Sequence, residues 1–196
     1  MQTIHKEQFG SSNIKLVLLG TTEEQFAAQM AIRTNIFARW FPDLLGSIYE
    51  IDTYDSPEMP YFAVMCDEKV IGGFRLIQTS SASDLPVAKR GTVPDGPGVE
   101  ISRWCIDSKV EKSLKSAAHK VMIVGGLKYL QSKNVEIAHI DVCTFLFKFL
   151  KRIGICIKSI GEKHGRSEFD PQLEEASFMP AVLNVRSTLE SCTFLH

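Results

Sequence analysis

VEISRWCIDSKVEKSLKSAAHKVMIVGGLKYLQSKNVEIAHIDVCTFLFKFLKRIGICIKSI, residues 99–160, alternates between strand-like and helix-like patterns. Three β-rich runs predict strands, at Val99–Ile106, Val135–Val142 and Ile155–Ile160. A capping box of Ser108 and Glu111 predicts the start of a long helix that runs to about Ser132. A short helix from Thr144 to Ile153 is predicted to end at Gly154. A strand, helix, strand, helix, strand succession follows.

The part of the chain before this segment predicts a first strand, a helix and a hairpin. The strands are expected at Ile14–Leu19, Tyr61–Cys66 and Val70–Ile77. Between the first two, a helix runs to about Trp40 and stops before Pro42. Its inward stripe has helical spacing and contains an arginine: Phe26, Met30, Arg33, Phe37 and Trp40. Gly72 and Gly73 indicate a bulge or a close backbone approach in the second hairpin strand.

These elements predict an α/β (α+β) three-layer sandwich, in which a mixed, largely antiparallel sheet carries helices on both faces. With 196 residues, the chain is expected to form a single domain over residues 1–196. The segment Gln78–Gly98 is rich in Ser, Pro and Gly, and a loop of that length is often a functional cover over a site.

Composition limits the classes of function. Lys and Arg number 22 against 23 Asp and Glu, so nucleic acid binding is not expected. The start of the chain is polar and the longest uncharged apolar run, Val121–Leu127, is too short to span a bilayer, so we expect a cytoplasmic protein without membrane insertion. The five cysteines form no CxxC pair and the five histidines no HxxxH pair, so neither a disulfide framework nor a metal is expected.

Several charged residues lie where a purely structural pattern would not place them. Arg33 lies in the apolar stripe of a helix, and Arg75 lies inside a strand after two glycines. Each alone is most simply explained as an ion pair. Their order along the chain is more specific: Arg33, Phe37 and Trp40, then EIDTYD at residues 50–55, GGFR at 72–75 and EISR at 100–103.

This series resembles the signature of the acyl-homoserine-lactone synthase (autoinducer synthase) family. The resemblance matches an Arg and Phe four apart, two Asp three apart, an Arg after glycines and a Glu-x-x-Arg strand, at Arg33, Phe37, Asp52, Asp55, Arg75, Glu100 and Arg103. Trp40 follows Phe37 more closely than the family tryptophan does, which implies a deletion in this loop. The family fold resembles that of amine acetyltransferases, in agreement with the predicted architecture.

The resemblance implies transfer of an acyl group from an acyl carrier protein or CoA thioester to the amine of S-adenosylmethionine. Closure to an N-acyl-homoserine lactone, a quorum-sensing signal, then releases methylthioadenosine. S-adenosylmethionine is a substrate, and no prosthetic group is expected. The predicted catalytic residues are Glu100, as general base, with Arg103 and Arg75; the substrate side is formed by Arg33, Phe37, Trp40, Asp52 and Asp55.

Glu100 and Arg103 are three residues apart, so on a regular strand they would point to opposite faces. A shared pocket therefore requires a β-bulge or another irregularity. We predict such an irregularity between Val99 and Trp104.

The acyl donor also needs a site. Candidate acyl-binding residues are Ser102, Cys143, Thr144, Phe145, Phe149 and Met122, although ordinary core packing is the alternative for the apolar ones. Basic residues are concentrated after residue 147, where an acidic carrier protein could dock: Lys148, Lys151, Arg152 and Lys158, followed by Lys163 and Arg166. A solvated surface is the alternative explanation of that cluster.

Two other functions remain open. One is a different acyl-CoA-dependent amine N-acyltransferase, which usually carries a glycine-rich pyrophosphate turn at a helix start. Residues 107–115 contain no glycine, which favours the synthase interpretation. The other is a non-catalytic ligand-binding relative, and retention of Glu100 with both strand arginines argues against it.

Overall fold

The computed structural model describes residues 1–20, 24–37, 53–56, 59–165 and 177–192. These ranges contain eight strands: β1 Gln2–Phe9, β2 Ser12–Leu19, β3 Tyr61–Cys66, β4 Lys69–Thr79, β5 Gly98–Ile106, β6 Ile137–Cys143, β7 Ile157–Ser159 and β8 Phe178–Asn184. They also contain four α-helices: α1 Glu24–Phe37, α2 Lys112–Ser132, α3 Thr144–Arg152 and α4 Val185–Ser191. Two 3-10 helices, Ala82–Asp84 and Pro86–Lys89, lie in the segment that was predicted as a loop.

The strands form one mixed sheet in the order β1-β2-β3-β4-β5-β6-β8-β7. Strands β1 to β4 pair antiparallel in sequence order, and β8 pairs antiparallel with both β6 and β7. The pair β5 and β6 is parallel, because helix α2 supplies the long crossover that a parallel connection requires. The predicted fold class, a mixed and largely antiparallel sheet with helices, is confirmed.

Contacts divide the chain into two compact units. The first unit consists of Met1–Arg75 and Arg103–Tyr129, and the second of Leu76–Ser102 and Leu130–His196. The single-domain organisation stays a prediction.

The first unit has a hydrophobic cluster between α1 and strands β2 to β4. Its buried members are Val17, Leu19, Met30, Tyr61, Ala63, Met65 and Val70, with Phe26, Ile32 and Met59 packed against them. Alternate residues of the strands face this cluster, as expected for a sheet with one face against a helix. Burial of each large apolar side chain contributes about 1.5–3 kcal/mol, so this cluster holds α1 on the sheet.

Gly72 and Gly73 lie where the backbone of β4 passes close to neighbouring backbone. A Cβ at Gly72 would overlap the carbonyl oxygen of Cys105, and one at Gly73 would overlap that of Phe62. The register of β3 and β4 also shifts between Val64 and Met65, which is a bulge. Both features that the glycine pair predicts are therefore present.

In the second unit, helix α3 ends as predicted. Gly154 has φ +88°, a conformation that favours glycine, and its N–H donates to the carbonyl of Lys151 at 3.2 Å. Strand β8, which was not predicted, pairs with β6 from Ile137↔Asn184 to Cys143↔Phe178. Helix α4, also not predicted, begins where the Asn184 side chain accepts the N–H of Ser187 at 2.7 Å.

The predicted start of α2 is wrong by about one turn. The Ser108 and Glu111 capping box does not open the helix, because residues 107–110 form a separate turn in which the carbonyl of Asp107 accepts the N–H of Val110. The Asp107 carboxylate accepts the N–H of Lys109 at 2.9 Å. The first acceptor of the helix is the carbonyl of Glu111, and α2 begins at Lys112.

Strand β1 was also missed, because its polar sequence, QTIHKEQF, has no apolar alternation. It is held by antiparallel pairing to β2 and is exposed over much of its length. Backbone hydrogen bonds to β2, and not an apolar alternation in its own sequence, make this segment a strand.

Candidate active site

A buried ionic cluster lies in the first unit, between α1, the segment 53–56, β3 and β4. Arg33 has no exposed surface, and its two terminal nitrogens donate to the two oxygens of Asp55 at 2.8 Å each. Arg75 of β4 and the hydroxyl of Tyr61 donate to Oδ1 of the same carboxylate, the latter at 2.9 Å. The arginine in the apolar stripe thus meets two other residues from the resemblance, Asp55 and Arg75.

The electrostatics of this cluster keep Tyr61 protonated. Burial, followed by the hydrogen bond to Asp55, raises the pKa of Tyr61 well above its ordinary value of 10. The phenol therefore stays a donor to Asp55 across the physiological pH range. Phe26 packs edge-on against the Tyr61 ring with the centroids 4.8 Å apart, which fixes the ring.

Gln29 is a buried polar residue of α1 that the sequence did not single out. It is 1% exposed, and neither its amide nitrogen nor its amide oxygen has a hydrogen-bond partner among the described residues. Its Cγ lies over Gly73, two residues before Arg75 on β4. A signal was present, since Gln29 stands four residues before Arg33 on the inward side of the helix.

Glu100 lies in the second unit and is 3% exposed. Its Oε2 accepts the backbone N–H of Val87 at 2.9 Å, and Val87 belongs to the 3-10 helix Pro86–Lys89. The Ser, Pro and Gly-rich segment thus holds the predicted catalytic carboxylate. In the parallel ladder, Glu100 is paired with His139 of β6.

The backbone of β5 is irregular at Arg103, which confirms the predicted irregularity. The φ of Arg103 is +57°, a left-handed conformation that is uncommon for a residue other than glycine. The buried positions of the strand change phase across it, from Gly98 and Glu100 to Cys105. Arg103 belongs to the first unit and Glu100 to the second.

Part of the predicted substrate side lies outside the described residues. Trp40 and Asp52 are among these, as is Arg166 of the basic cluster. Phe37 is the last residue of α1, and its side chain is not described.

The candidate acyl-binding residues differ in burial. Met122 of α2, in the first unit, has no exposed surface, whereas Phe145 of α3, in the second, is 82% exposed. Thr144 Oγ1 donates to the carbonyl of Ser177 at 2.8 Å, and Cys143 and Ser102 are half-buried. The high exposure of Phe145 fits a surface contact better than an enclosed acyl pocket, and the acyl-binding set stays a prediction.

The basic residues of α3 lie on the surface. Lys148, Lys151 and Arg152 are exposed, as is Lys158 of β7. The Arg152 guanidinium lies 5.7 Å from the ring centroid of Phe149, a cation–π contact. The exposed Phe145 is three residues before Lys148, so an apolar ring and a positive charge share one face of the helix.

A second polar group, which the sequence analysis missed, lies in the second unit. Arg90 donates to Nδ1 of His164, so that Nε2 carries the histidine proton and donates to Asp141 at 2.9 Å. Asp141 is on β6, two residues after His139. Histidine spacing in the sequence could not reveal it, because the three residues come from three distant segments.

A surface hollow of about 730 Å³ in the first unit is lined by residues of the β3–β4 turn and of the segment before α2, among them Cys66, Glu68 and Lys109. None of the predicted site residues lines it. Across the described ranges no three His, Cys, Asp or Glu residues are arranged to hold a metal ion, and no helix is long and apolar enough to cross a membrane. All five cysteines are free.

Comparisons with solved structures place this fold among acyl-transferring enzymes. An acyl-homoserine lactone synthase described as CoA-dependent, BjaI with SAM and isopentyl-CoA, is 17% identical with TM-score 0.69, over 89% of this chain and 85% of that one. The synthase LasI is 16% identical with TM-score 0.70, over 89% and 90%. An acyl-CoA N-acyltransferase from Pseudomonas aeruginosa is 15% identical with TM-score 0.56, over 85% and 97%. The class is thus the acyltransferase-like α/β fold.

The sequence profile of the autoinducer synthase family matches residues 23–180. The chain belongs to the autoinducer synthase family and is an enzyme of that family. A comparison with curated protein sequences found no match.

Proposed function

We propose that this enzyme transfers an acyl group from a thioester to the amine of S-adenosylmethionine and then closes the product to an N-acyl-homoserine lactone, with release of methylthioadenosine. The observation that carries the proposal is the buried Arg33, Asp55, Arg75 and Tyr61 cluster, which joins three residues of the family signature around one carboxylate. The family match supports it independently. Acyl thioesters and S-adenosylmethionine are both found in the cytoplasm, so we propose a cytoplasmic enzyme.

The cluster supports a role in holding the acceptor. S-adenosylmethionine carries a carboxylate, an ammonium and a sulfonium, and guanidinium and carboxylate groups bind such charges by charge-assisted hydrogen bonds. Arg33 and Arg75 are held rigidly by Asp55, so little reorganisation is needed when the substrate binds. In this proposal Phe37 and Trp40 offer aromatic faces to the sulfonium or the adenine, and Asp52 complements the positive charge.

Glu100 is proposed as the general base that takes a proton from the amine, directly or through one water. Its burial and the hydrogen bond from Val87 hold the carboxylate in one orientation. Arg103, in its left-handed conformation within the irregular strand β5, is proposed to pair with charge that develops in the reaction. Lactone closure is intramolecular and expels a neutral thioether, so it depends mainly on the conformation in which the substrate is bound.

The test of this function is a reaction of the purified chain with S-adenosylmethionine and a panel of acyl carrier protein and CoA thioesters. We expect methylthioadenosine and an acyl-homoserine lactone, both identified by mass spectrometry. Asp55→Ala should abolish both products. The surface variant Glu190→Gln should react normally, because Glu190 is exposed and pairs with Arg186 one helical turn away. Absence of methylthioadenosine with every donor would disprove the proposal.

For the acyl donor, we propose that the exposed basic face of α3 docks an acidic acyl carrier protein. The support is the combination of Lys148, Lys151 and Arg152 with the exposed ring of Phe145. Basic residues steer an acidic partner, and an exposed aromatic ring supplies a contact that is not screened by salt. We propose that the acyl chain contacts Thr144 and Phe149 of α3 and Cys143, the last residue of β6. Ser102 and Met122 stay candidates from the sequence.

Charge reversal tests the docking proposal. In the triple variant Lys148→Glu, Lys151→Glu and Arg152→Glu, we expect kcat/KM for an acyl carrier protein donor to fall about 10-fold or more, since the steered association is lost. The rate with the matching short acyl-pantetheine thioester should change less than about 2-fold. The control reverses three exposed lysines elsewhere, Lys109, Lys112 and Lys128. Equal rates for the two triple variants would rule out docking on α3.

A further inference from the structure

His139 is a histidine of β6 with a buried lone pair. It is 2% exposed, and its Nδ1 lies 3.2 Å from the carbonyl oxygen of Val99. A carbonyl can only accept a hydrogen bond, so Nδ1 carries the proton and Nε2 is the unprotonated nitrogen. Nε2 has no hydrogen-bond partner in the described part of the chain.

A purely structural residue at this position would not need that lone pair. A buried polar atom without a partner costs about 1–3 kcal/mol, and nearly all such atoms in native proteins are paired. An apolar side chain of similar size would avoid that cost, as its direct strand neighbours Ala138 and Ile140 do. An unprotonated Nε2 without a partner among the described residues is chemically able to take a proton.

The neighbour of His139 is the proposed general base. Glu100 and His139 are directly paired in the parallel ladder of β5 and β6, so their side chains emerge on the same face of the sheet. Both are almost completely buried. Val87 of the covering 3-10 helix donates to Glu100 on that face.

In the described part of the second unit, the other charged groups near His139 are bonded elsewhere or exposed. On its own strand, Asp141 points to the same face but is bonded to His164, which also accepts from Arg90. Strand β8 carries no titratable side chain. Lys89 of the 3-10 helix and the basic residues of α3 are exposed. Glu100 is thus the titratable group paired with His139, and burial lowers the pKa of the imidazole, which keeps it neutral at physiological pH.

We propose that His139 is a proton-relay residue, whose Nε2 receives the proton that Glu100 takes from the reacting amine. This rests on the proposed function and deepens it. The ammonium N–H bond breaks and its proton passes through Glu100 to Nε2, and the amine then forms the C–N bond to the thioester carbonyl. When the C–S bond breaks, the thiolate takes the second amine proton and leaves as the thiol. The imidazolium finally returns its proton to water, which restores the enzyme.

Two substitutions each remove the ability of residue 139 to take a proton at the position of Nε2. His139→Gln places an amide oxygen near the position of Nε2, which can accept a hydrogen bond but cannot take a proton. His139→Asn retains a donor for Val99 and removes the acceptor. If His139 relays the proton, kcat should fall about 10-fold or more in both variants, because general base catalysis contributes roughly 10²–10⁴-fold in total. The KM for S-adenosylmethionine should stay within about 2-fold, since ground-state binding is unaffected.

The pH profile gives a readout that packing alone would not move. We expect the acidic limb of kcat in the wild type to shift or flatten in His139→Gln, because one of two coupled titrating groups is lost. The control is His119→Asn in the first unit, where the amide oxygen can still accept the indole N–H of Trp104. Wild-type kcat and an unchanged acidic limb in folded His139→Gln would overturn the relay.

If neither variant folds, the wild-type protein still decides the question. Long-range ¹H–¹⁵N spectra of the imidazoles should show His139 with a protonated Nδ1. Its Nε2 resonance should shift when S-adenosylmethionine and a non-hydrolysable thioester analogue are added together. An unchanged resonance in a protein that releases methylthioadenosine would disprove the relay and leave the proposed function intact. Absence of methylthioadenosine from the wild type would instead disprove the proposed function itself.

Discussion

Asp55 is a single buried carboxylate that accepts hydrogen bonds from three side chains. Its carboxylate accepts from Arg33, Arg75 and Tyr61, so one negative charge lies beside two buried guanidinium groups. Such a pair need not stabilise a protein relative to apolar residues, but removal of one partner leaves the other charge buried without compensation. The cluster is therefore sensitive to the loss of this single carboxylate.

Asp55→Asn should lower the free energy of unfolding by about 3–5 kcal/mol, because it removes a negative charge that is bonded to two buried guanidinium groups. Urea denaturation followed by circular dichroism measures the change. Glu190→Gln, the same chemical change on an exposed helix, should stay within about 0.5 kcal/mol of the wild type. Coincident unfolding curves for Asp55→Asn and the wild type would show that the ion pairs do not stabilise the first unit.

Replacement of Gln29, in contrast, should stabilise the folded protein. Gln29→Met keeps the length of the side chain and removes two buried polar atoms that have no partner. We expect the ligand-free protein to gain about 1 kcal/mol or more, which raises its Tm by several degrees. Gln131→Met on the exposed part of α2 is the matched control and should change Tm little. A lower Tm in Gln29→Met would mean that the amide contributes favourably to the folded state.

At the scale of elements, a side chain added at a glycine of β4 or of α2 would meet different kinds of neighbour. A side chain at Gly72 would overlap the carbonyl of Cys105 in β5, so close approach of two strands requires glycine there. At Gly126 in α2, an added Cβ would meet only the ring of Phe74, at 3.3 Å. Displacement of a backbone carbonyl costs more free energy than a small tilt of an aromatic ring.

Gly72→Ala should therefore destabilise the protein by more than about 2 kcal/mol, through displacement of a strand. Gly126→Ala should be close to neutral, because better helix propensity, about 0.8–1 kcal/mol, offsets the adjustment of Phe74. Thermal unfolding of the two variants under the same conditions checks both values. Equal stabilities would show that the β4 backbone yields readily and that close approach does not require glycine.

At the scale of the whole molecule, two histidines couple stability to pH. Burial lowers the pKa of both His119 and His139 from 6.5. Below pH 6.5 the unfolded chain takes up protons that the folded protein does not, so acid favours unfolding. The stability that comes from keeping these imidazoles neutral is complete above pH 6.5 and is lost as the pH falls through the lowered pKa values.

The free energy of unfolding should accordingly decrease as the pH falls from about 7.5 to about 5.5. Carboxylates contribute little in this window. Urea titrations at several pH values measure the slope. Each of the single variants His119→Asn and His139→Gln should reduce that slope, and the double variant should reduce it most. A wild-type stability that is constant over this window would contradict the burial of neutral imidazoles.

Local patterns determined much of this protein from the sequence by itself. Alternation in the apolar strands, the end of α3 at Gly154 and the pair Gly72 and Gly73 each depend on a few neighbouring residues, so they were predictable. The ordered series from Arg33 to Arg103 indicated the family, because its residue types and spacing are specific. The irregularity between Val99 and Trp104 followed from strand geometry together with the assumption, taken from the resemblance, that Glu100 and Arg103 share a pocket.

Only the tertiary structure decided the features that join distant segments. Strands β1 and β8 are made by pairing to their neighbours, and α2 begins a turn late because Asp107 closes a separate turn. The partners of Asp55, the orphan nitrogen of His139 and the link of Arg90 through His164 to Asp141 have no local signature. The physical reason is that hydrogen bonding and burial depend on which segments the fold brings together, whereas a sequence pattern reports only what each segment prefers.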